Sequence, residues 1–129
     1  MRHLTSVTPI GISFLVWIGV ALAAPTLAGS EWGPRADSKQ FIQFQSGGKV
    51  AGSGGCNRFF GSYSQSSSKL KFGPLGSTKM LCSQQVMSKE RALFAMLAKA
   101  RRFERRDHKL TLFDGAGKQI VRFRQRDWD

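Results

Sequence analysis

The stretch from Val50 to Tyr63 constrains the fold of this chain more than any other. It reads Val-Ala-Gly-Ser-Gly-Gly-Cys-Asn-Arg-Phe-Phe-Gly-Ser-Tyr and combines several glycines, one of only two cysteines and three aromatic residues. Glycine permits backbone angles and close approaches that a Cβ atom would forbid. The aromatic side chains that follow supply a large apolar surface. The order of these residues predicts a bent or bulged strand that leads into a core strand.

The N-terminus has the composition of a secretory signal peptide. Arg2 precedes a run of small and apolar residues from Ile10 to Ala24. This run has about 15 residues, fewer than the roughly 20 that a membrane-spanning helix needs. We predict a signal peptide over residues 1–23, cleaved after Ala23 or Ala28, where small residues precede the scissile bond. The predicted location is therefore periplasmic or secreted, and the alternative is an uncleaved N-terminal membrane anchor.

Export determines how the two cysteines are interpreted. In an oxidising compartment two cysteines most simply form one disulfide, here Cys56–Cys82. On the chain-entropy account this bridge would stabilise the fold by roughly 3–4 kcal/mol. The rival interpretation is a reactive thiol. No cysteine lies near the predicted cleavage sites, which excludes a lipid-anchored lipoprotein.

The rest of the chain has room for one domain. Residues 24–38 indicate a short N-terminal lead-in, because most of them are polar or turn-forming, and residues 39–126 contain the predicted domain. One helix is predicted from about Gln84 to Arg102, with Ser83 as its N-cap, since apolar side chains recur there at helical spacing. Glu90 falls in line with this apolar stripe and is expected at its edge.

Short segments with alternating apolar and polar residues predict the strands of a mainly β (α+β) domain. Segments between residues 41 and 75 precede the helix, and a three-strand meander over 103–124 follows it. In the last strand Val121 and Phe123 alternate with arginines, so one face is apolar and the other is basic. The single amphipathic helix is expected to cover one sheet face or barrel mouth.

Positive charge dominates the composition. The chain has 20 lysines and arginines against 8 acidic residues, which gives a formal net charge of +12. Such a field attracts anions, including anionic lipid, lipopolysaccharide, acidic proteins and nucleic acid, of which nucleic acid is not expected for an exported protein. The alternative is a solvated surface with no dedicated partner. The candidate anion or partner surface consists of Arg101, Arg102, Arg105, Arg106, Arg122 and Arg124.

The sequence contains no recognisable catalytic or metal-binding pattern. Without the signal peptide one histidine remains, His108, in a charged turn between Asp107 and Lys109. One histidine and two cysteines are too few donors for a zinc site beside a disulfide. No serine lies in a Gly-x-Ser-x-Gly pattern, and the glycine run opens a strand rather than a phosphate-binding helix. We expect a non-enzymatic monomer without catalytic residues, metal or cofactor.

Several motifs of the chain occur together in one known family. The segment Gly54–Tyr63 contains Gly-Cys-Asn-Arg-Phe-Phe-Gly-Ser-Tyr, Thr78-Lys-Met80 precedes Cys82, Glu90 lies in the predicted helix, and Leu110-Thr-Leu-Phe-Asp-Gly-Ala-Gly-Lys118 follows. This order resembles the META domain, the HslJ-like family of bacterial envelope proteins. The resemblance extends from about residue 42 to residue 123.

The resemblance implies an antiparallel, lipocalin-like rolled sheet or small open barrel with one α-helix packed against it. It also implies an exported or membrane-associated location and a link to stress responses, since one member is heat-inducible and linked to novobiocin resistance. It implies no established enzymatic activity or ligand. Many relatives have a longer N-terminal strand built on Trp-x-Leu, whereas this chain has Glu31-Trp-Gly33, so the barrel is expected to be more open at that edge.

Two functions follow from these observations as expectations. The first is a non-enzymatic exported protein that supports cell-envelope integrity or stress tolerance. The alternative is a binding module for an anionic or amphipathic ligand, which would be lipid, lipopolysaccharide or an acidic protein surface, held by the basic C-terminal strands. The sequence names no specific partner.

Overall fold

The computed structural model describes residues 24–127, together with the isolated Gly11 and Ser13. Apart from those two positions, the predicted signal peptide lies outside the described residues. The described chain contains nine strands, one α-helix and a short 3-10 turn. These elements are β1 (Ser30–Gly33), β2 (Gln40–Phe44), the turn (Ser46–Gly48), β3 (Lys49–Gly54), β4 (Arg58–Ser66), β5 (Lys69–Phe72), β6 (Gly76–Ser77), α1 (Gln84–Lys99), β7 (Arg102–Arg106), β8 (Lys109–Phe113) and β9 (Gln119–Arg126).

Eight of the strands close into an antiparallel barrel. The order around the barrel is β1-β2-β3-β4-β5-β7-β8-β9, and β9 pairs back onto β1. Strand β6 extends the wall by pairing with β4 beyond the end of β5. Strand pairing in the barrel wall is sparsest between β5 and β7, where Lys69 and Arg102 are the only paired residues. The predicted fold class is confirmed, and the barrel is closed rather than open.

The closing strand β1 lies within the segment that was expected to be a lead-in. Glu31 and Trp32 pair with β2 on one side and with β9 on the other. Trp32 is fully buried, and its Nε1 donates a hydrogen bond to Oγ of Ser30 at 2.7 Å. The expected opening at this edge is therefore absent from the described barrel. A strand of four residues containing serine, glutamate and glycine is too short and too polar to be predicted from alternation.

The barrel is filled by large apolar side chains that alternate with outward-facing residues along each strand. The helix adds Leu93 and Leu97 to this core. The fully buried aromatic side chains come from β1, β2, β4, β7 and β9. These are Trp32, Phe44, Phe59, Phe103 and Phe123.

The glycine-rich stretch forms a tight connection between two strands. Strand β3 ends at Gly54, the chain turns through residues 55–57, and β4 returns antiparallel to β3. The expectation of one bent strand is therefore wrong. Within this connection Gly55 has a φ of +112°, a conformation that side chains with a Cβ atom rarely adopt.

Three glycines in β3 and β4 have a different role, because they leave room inside the barrel. A Cβ atom at any of them would lie closer than 3.0 Å to another group. The added Cβ atom would lie 2.7 Å from Cζ of Phe59 at Gly52, 2.6 Å from Oε1 of Glu90 at Gly54, and 2.8 Å from Cδ2 of Leu75 at Gly61. At Gly52 it would also collide with the backbone carbonyl oxygen of Phe41.

The predicted helix is confirmed as α1, which ends at Lys99, three residues earlier than expected. Ser83 is its N-cap, and the Ser83 Oγ accepts a hydrogen bond from Val86 N at 3.3 Å. The helix packs against β3 and β5. No helix in the described residues is long and apolar enough to cross a membrane.

Candidate functional site

A buried carboxylate lies at the connection between β3 and β4 in the glycine-rich stretch. We call this region, where the connection meets α1, the corner. Glu90 projects from α1 and is only 3% exposed. Its Oε1 accepts hydrogen bonds from the backbone N–H of Asn57 at 2.6 Å and of Cys56 at 3.3 Å. Its Oε2 accepts one from Nδ2 of Asn57 at 2.8 Å. Glu90 therefore lies inside the fold rather than at the edge of the apolar stripe, and these donors replace the water that the carboxylate loses.

The Asn57 side chain extends this network to a third segment. Its Oδ1 accepts hydrogen bonds from Met80 N at 2.6 Å and from Thr78 Oγ1 at 2.9 Å, while its Nδ2 donates to Met80 O at 3.2 Å. One asparagine thus joins the β3–β4 connection to α1 and to the chain that precedes Cys82. The three sequence motifs that contain Asn57, Thr78 and Glu90 therefore meet at the corner.

The disulfide lies at the same corner. Cys56 and Cys82 are bonded, with their Cα atoms 6.1 Å apart, so the predicted pairing is confirmed. On the chain-entropy account a bridge that closes a loop of this size stabilises the fold by roughly 3–4 kcal/mol. Every buried side-chain nitrogen or oxygen in the described residues has a hydrogen-bond partner. The corner is accordingly a satisfied, cross-linked part of the framework.

The six candidate arginines do not form one surface. Arg102, Arg106, Arg122 and Arg124 are exposed and alternate with the buried Phe103 and Phe123 on the neighbouring positions of β7 and β9. Because side chains on a strand alternate between faces, these four arginines lie on the outer face of the barrel. These four arginines therefore share a basic outer face on the C-terminal meander, and their role as an anion or partner surface stays a prediction.

The other two arginines have structural contacts elsewhere. Arg101 precedes β7, and its Nη1 donates to the carbonyl oxygens of Ala98 at 3.0 Å and Ala100 at 2.7 Å, at the C-terminus of the helix. Arg105 pairs with the buried Leu110 and so faces the barrel interior. Its guanidinium lies 5.1 Å from the centre of the Trp32 ring. Sequence alternation separates Arg105 from its neighbours but does not show what it contacts.

A row of three cations crosses the outer face. In the strand register Arg106 lies directly opposite Lys109, and Lys109 lies directly opposite Arg124. Directly opposed side chains have Cβ atoms about 4.5–5.5 Å apart, and like charges in such pairs are destabilising. We call Arg106, Lys109 and Arg124 the cation row. Lys109 was missed as a site residue, although its place at the start of an alternating strand could have identified it.

Shallow clefts flank the cation row. One has a volume of about 230 Å³ and is lined by Arg106, Lys109 and Arg122 together with Glu104 and Asp107. The other has a volume of about 300 Å³ and includes Lys109, Arg124 and His108 in its lining. The two carboxylates offset part of the positive charge in the first cleft.

The cation row has no ion-pair partner within the part of the chain that the structure describes. The two ion pairs found there join Arg126 to Glu31 at 3.2 Å and Arg35 to Asp37 at 3.7 Å. Arg126 belongs to the same strand as Arg124, yet its guanidinium is neutralised by Glu31, a buried residue of β1. The remaining cations of the face are left for solvent or an external anion.

The described residues contain no cluster of three or more histidine, cysteine, aspartate or glutamate side chains that could hold a metal ion. His108 lies in the β7–β8 turn, where its Nδ1 is 3.2 Å from Oε1 of Gln125. Both Asp107 and His108 have positive φ angles, 50° and 64°, which allow the tight reversal between the two strands.

The architecture defines a class of small antiparallel barrels with one helix packed against the wall. In this chain the helix is joined to the β3–β4 connection by the hydrogen bonds of Glu90. The chain belongs to the META domain family, whose profile matches residues 23–127. This match confirms the family resemblance and includes β1. A search among curated proteins finds no match.

Three solved structures have the same fold at low sequence identity. A Burkholderia xenovorans protein studied by NMR is 24% identical, with a TM-score of 0.63 over 77% of this chain and 83% of that one. A second NMR structure is 23% identical, with a TM-score of 0.60 over 76% of this chain and 90% of the other. A DUF4847 family protein from Bacteroides vulgatus is 19% identical, with a TM-score of 0.54 over 70% of this chain and 62% of its own.

Proposed function

We propose that this protein is an exported, non-enzymatic envelope protein whose basic outer face docks onto phosphate-bearing anionic lipid. This role would support envelope integrity or stress tolerance, as the family resemblance implies. The observation that carries the proposal is the cation row. Arg106, Lys109 and Arg124 are directly opposed on three neighbouring strands, an arrangement that lowers stability unless an anion is bound.

The exposed outer face suits a membrane surface better than an enclosed ligand. The three cations of the row are exposed, and Arg102 and Arg122 lie on the same face. Each basic residue close to an anionic leaflet contributes about 1 kcal/mol of attraction, which decays within a Debye length. A row of three cations would thus supply most of a weak, reversible and salt-sensitive association.

The burial of residues next to the predicted cleavage sites favours one of the two positions for the proposed cleavage. Leu27 is fully buried, its N–H donates to Oε1 of Gln65 at 2.9 Å, and the carbonyl of Thr26 accepts a hydrogen bond from Arg105 at 2.7 Å. Cleavage after Ala28 would remove these contacts, whereas cleavage after Ala23 would retain them. We therefore place the proposed cleavage after Ala23.

The proposal is tested by sedimentation of the mature protein with vesicles. Vesicles of phosphatidylglycerol and phosphatidylcholine are compared with vesicles of phosphatidylcholine alone, at about 0.1 M and 1 M salt. We expect binding to the anionic vesicles that is lost at the higher salt concentration. The triple variant Arg106→Gln/Lys109→Gln/Arg124→Gln should bind on the order of 100-fold more weakly, because three charges of about 1 kcal/mol each are removed.

A matched control removes the same amount of charge elsewhere. Lys39, Lys49 and Lys89 are exposed and lie outside the meander, so the variant Lys39→Gln/Lys49→Gln/Lys89→Gln has the same net charge as the cation-row variant. It should retain most of the vesicle binding. Equal weakening by the two variants would show a nonspecific charge effect and reject the proposed face. Binding that persists at 1 M salt would reject the electrostatic mechanism.

A further inference from the structure

A second concave surface lies on a different part of the barrel. It is a groove of about 550 Å³ between α1 and the chain that connects β5 to β6. This volume falls within the range of pockets that bind small molecules. The groove is separate from the cation row and shares none of its residues. We call it the seam groove, and the residues that matter for its chemistry are Phe72, Pro74, Leu75, Lys79, Phe94 and Ala98.

The groove exists because strand pairing is interrupted at this place. Strand β5 pairs with β4 as far as Phe72, the chain leaves the sheet at Gly73 and Pro74, and β6 rejoins β4 at Gly76. On its other side β5 pairs with β7 at a single position. The helix α1 packs against β5, and the seam groove lies between α1 and the segment where strand pairing is interrupted.

The walls of the seam groove are apolar and firmly packed. Phe72 is buried and Leu75 and Phe94 are half-buried. The Phe94 ring meets the core residue Phe59 edge-on, with the ring centres 5.5 Å apart. The Phe72 ring contacts Phe44 in the core, with ring centres 5.9 Å apart. These walls are held by the core and do not depend on a ligand for their position.

The seam groove is positively charged, and this charge comes from a single residue. Lys79 is the only charged residue in the lining, and no carboxylate lines the groove. The apolar surface continues past Leu75, because the exposed Phe60 ring lies over Gly76 and is 58% exposed. An apolar groove with a single ammonium group is complementary to a molecule that has one apolar chain and one anionic end.

We propose that the seam groove binds a single fatty-acid molecule, with the acyl chain along Phe72, Leu75 and Phe94 and the carboxylate beside Lys79. The acyl chain gains contact with apolar walls, and the carboxylate pairs with an ammonium group that has no ion-pair partner in the described residues. This site is independent of the proposed membrane-docking face, since it contains no residue of the cation row.

The test is an NMR titration of the mature, oxidised protein with laurate below its micelle concentration. We expect saturable one-to-one binding, with the largest amide shifts at Phe72, Leu75 and Ala98. Ala98→Trp fills the groove and should weaken binding by at least about tenfold, whereas Ala92→Trp, an equal change at an exposed site on another side of α1, should not. Lys79→Glu should reverse the preference from laurate to dodecyltrimethylammonium.

Several outcomes would overturn the proposal. These are amide shifts confined to other parts of the barrel, equal weakening by Ala98→Trp and Ala92→Trp, or unchanged head-group preference in Lys79→Glu. The cation-row variant Arg106→Gln/Lys109→Gln/Arg124→Gln should bind laurate as the parent protein does. Loss of vesicle binding with retained laurate binding in that variant separates the two sites.

Discussion

Glu90 shows at the scale of one residue how the corner is held. A carboxylate that is buried without partners is strongly destabilising, and here three N–H groups, all belonging to Cys56 and Asn57, satisfy it. Charge-assisted hydrogen bonds of this type are about twice as strong as neutral ones. The same carboxylate also occupies the space that Gly54 leaves free. Removal of either residue therefore disturbs both hydrogen bonding and packing.

Replacement of Glu90 by glutamine should lower the free energy of unfolding by about 1–3 kcal/mol. Glutamine keeps the shape of the side chain, but in either amide orientation its NH₂ group faces another donor, which is Nδ2 of Asn57 or the backbone N–H groups of Cys56 and Asn57. Urea unfolding of the oxidised protein measures the loss. The control is Glu104→Gln at an exposed position of β7, which should change stability by less than about 0.5 kcal/mol. A similar effect for both variants would contradict this account of the corner.

Tyr63 provides a pH-dependent prediction at the same scale. Burial raises the pKa of Tyr63 above its ordinary value of 10.0, because the phenolate would lose water. The unfolded chain therefore releases this proton at a lower pH than the folded chain does. Stability from this group is complete below pH 10 and is lost as pH rises through the folded-state pKa.

Since Tyr63 is the only tyrosine in the chain, phenolate absorbance reports this group alone. We expect the folded protein to titrate at a higher pH than the same protein in denaturant. Tyr63→Phe should also remove the part of the alkaline loss of stability that this group causes. Coincident titrations of the folded and denatured protein would show that burial has no effect on the phenol.

At the scale of elements, strands β3 and β4 depend on positions without side chains. Gly52 lies opposite Phe59 in the register, and a Cβ atom at Gly52 would collide with the backbone carbonyl oxygen of Phe41 as well as with the Phe59 ring. From the sequence we expected these glycines to bend or bulge a strand. Their effect is to let neighbouring side chains enter the barrel.

Gly52→Ala should therefore destabilise the protein by about 1–3 kcal/mol through overpacking. The matched control is Gly115→Ala in the β8–β9 turn, where the nearest atom, Cγ of Arg101, would be 3.7 Å from the new Cβ. That change should be neutral or slightly stabilising, because alanine restricts the unfolded chain. Thermal unfolding of the two variants side by side distinguishes them. Equal midpoints would rule out close packing at Gly52.

The C-terminal meander is the part that sequence alternation predicted best. Strands β7, β8 and β9 together run from Arg102 to Arg126, within two residues of the predicted meander at each end, and most of their basic residues face outward. The exceptions are Arg101 and Arg105. Arg101 precedes β7 and donates a hydrogen bond to a carbonyl oxygen at the C-terminus of α1, whereas Arg105 points inward near the end of the barrel. Alternation of apolar and polar residues predicts whether a side chain points into or out of the barrel. The position of the residue along the barrel axis decides whether other residues cover that side chain.

At the scale of the whole molecule, residues before β1 close one end of the barrel. Leu27 is fully buried, and Gln65 bonds both to its N–H and to the carbonyl of Pro25. The described domain therefore starts several residues before the first strand. A chain that begins at residue 29 would lack this closure.

Truncation tests this role directly. A protein that begins at residue 29 should be less stable than one that begins at residue 24 by about 2–5 kcal/mol, since a fully buried leucine and its neighbours are lost. The single variant Leu27→Ala in the longer protein should show a large part of this loss. The intact mass of the exported protein gives the natural N-terminus. Equal stability of the two truncations would contradict the closure.

The sequence by itself determined the family, the single helix and its cap, the cysteine pairing and the basic outer face of β9. Each of these depends on local spacing or on the small number of partners available, as with two cysteines. Only the tertiary structure decided that β1 closes the barrel, that Glu90 is buried in the corner and that Lys109 lies between Arg106 and Arg124. These features depend on which distant segments become neighbours, and strand register and barrel closure set those contacts through hydrogen bonds between residues far apart in the chain.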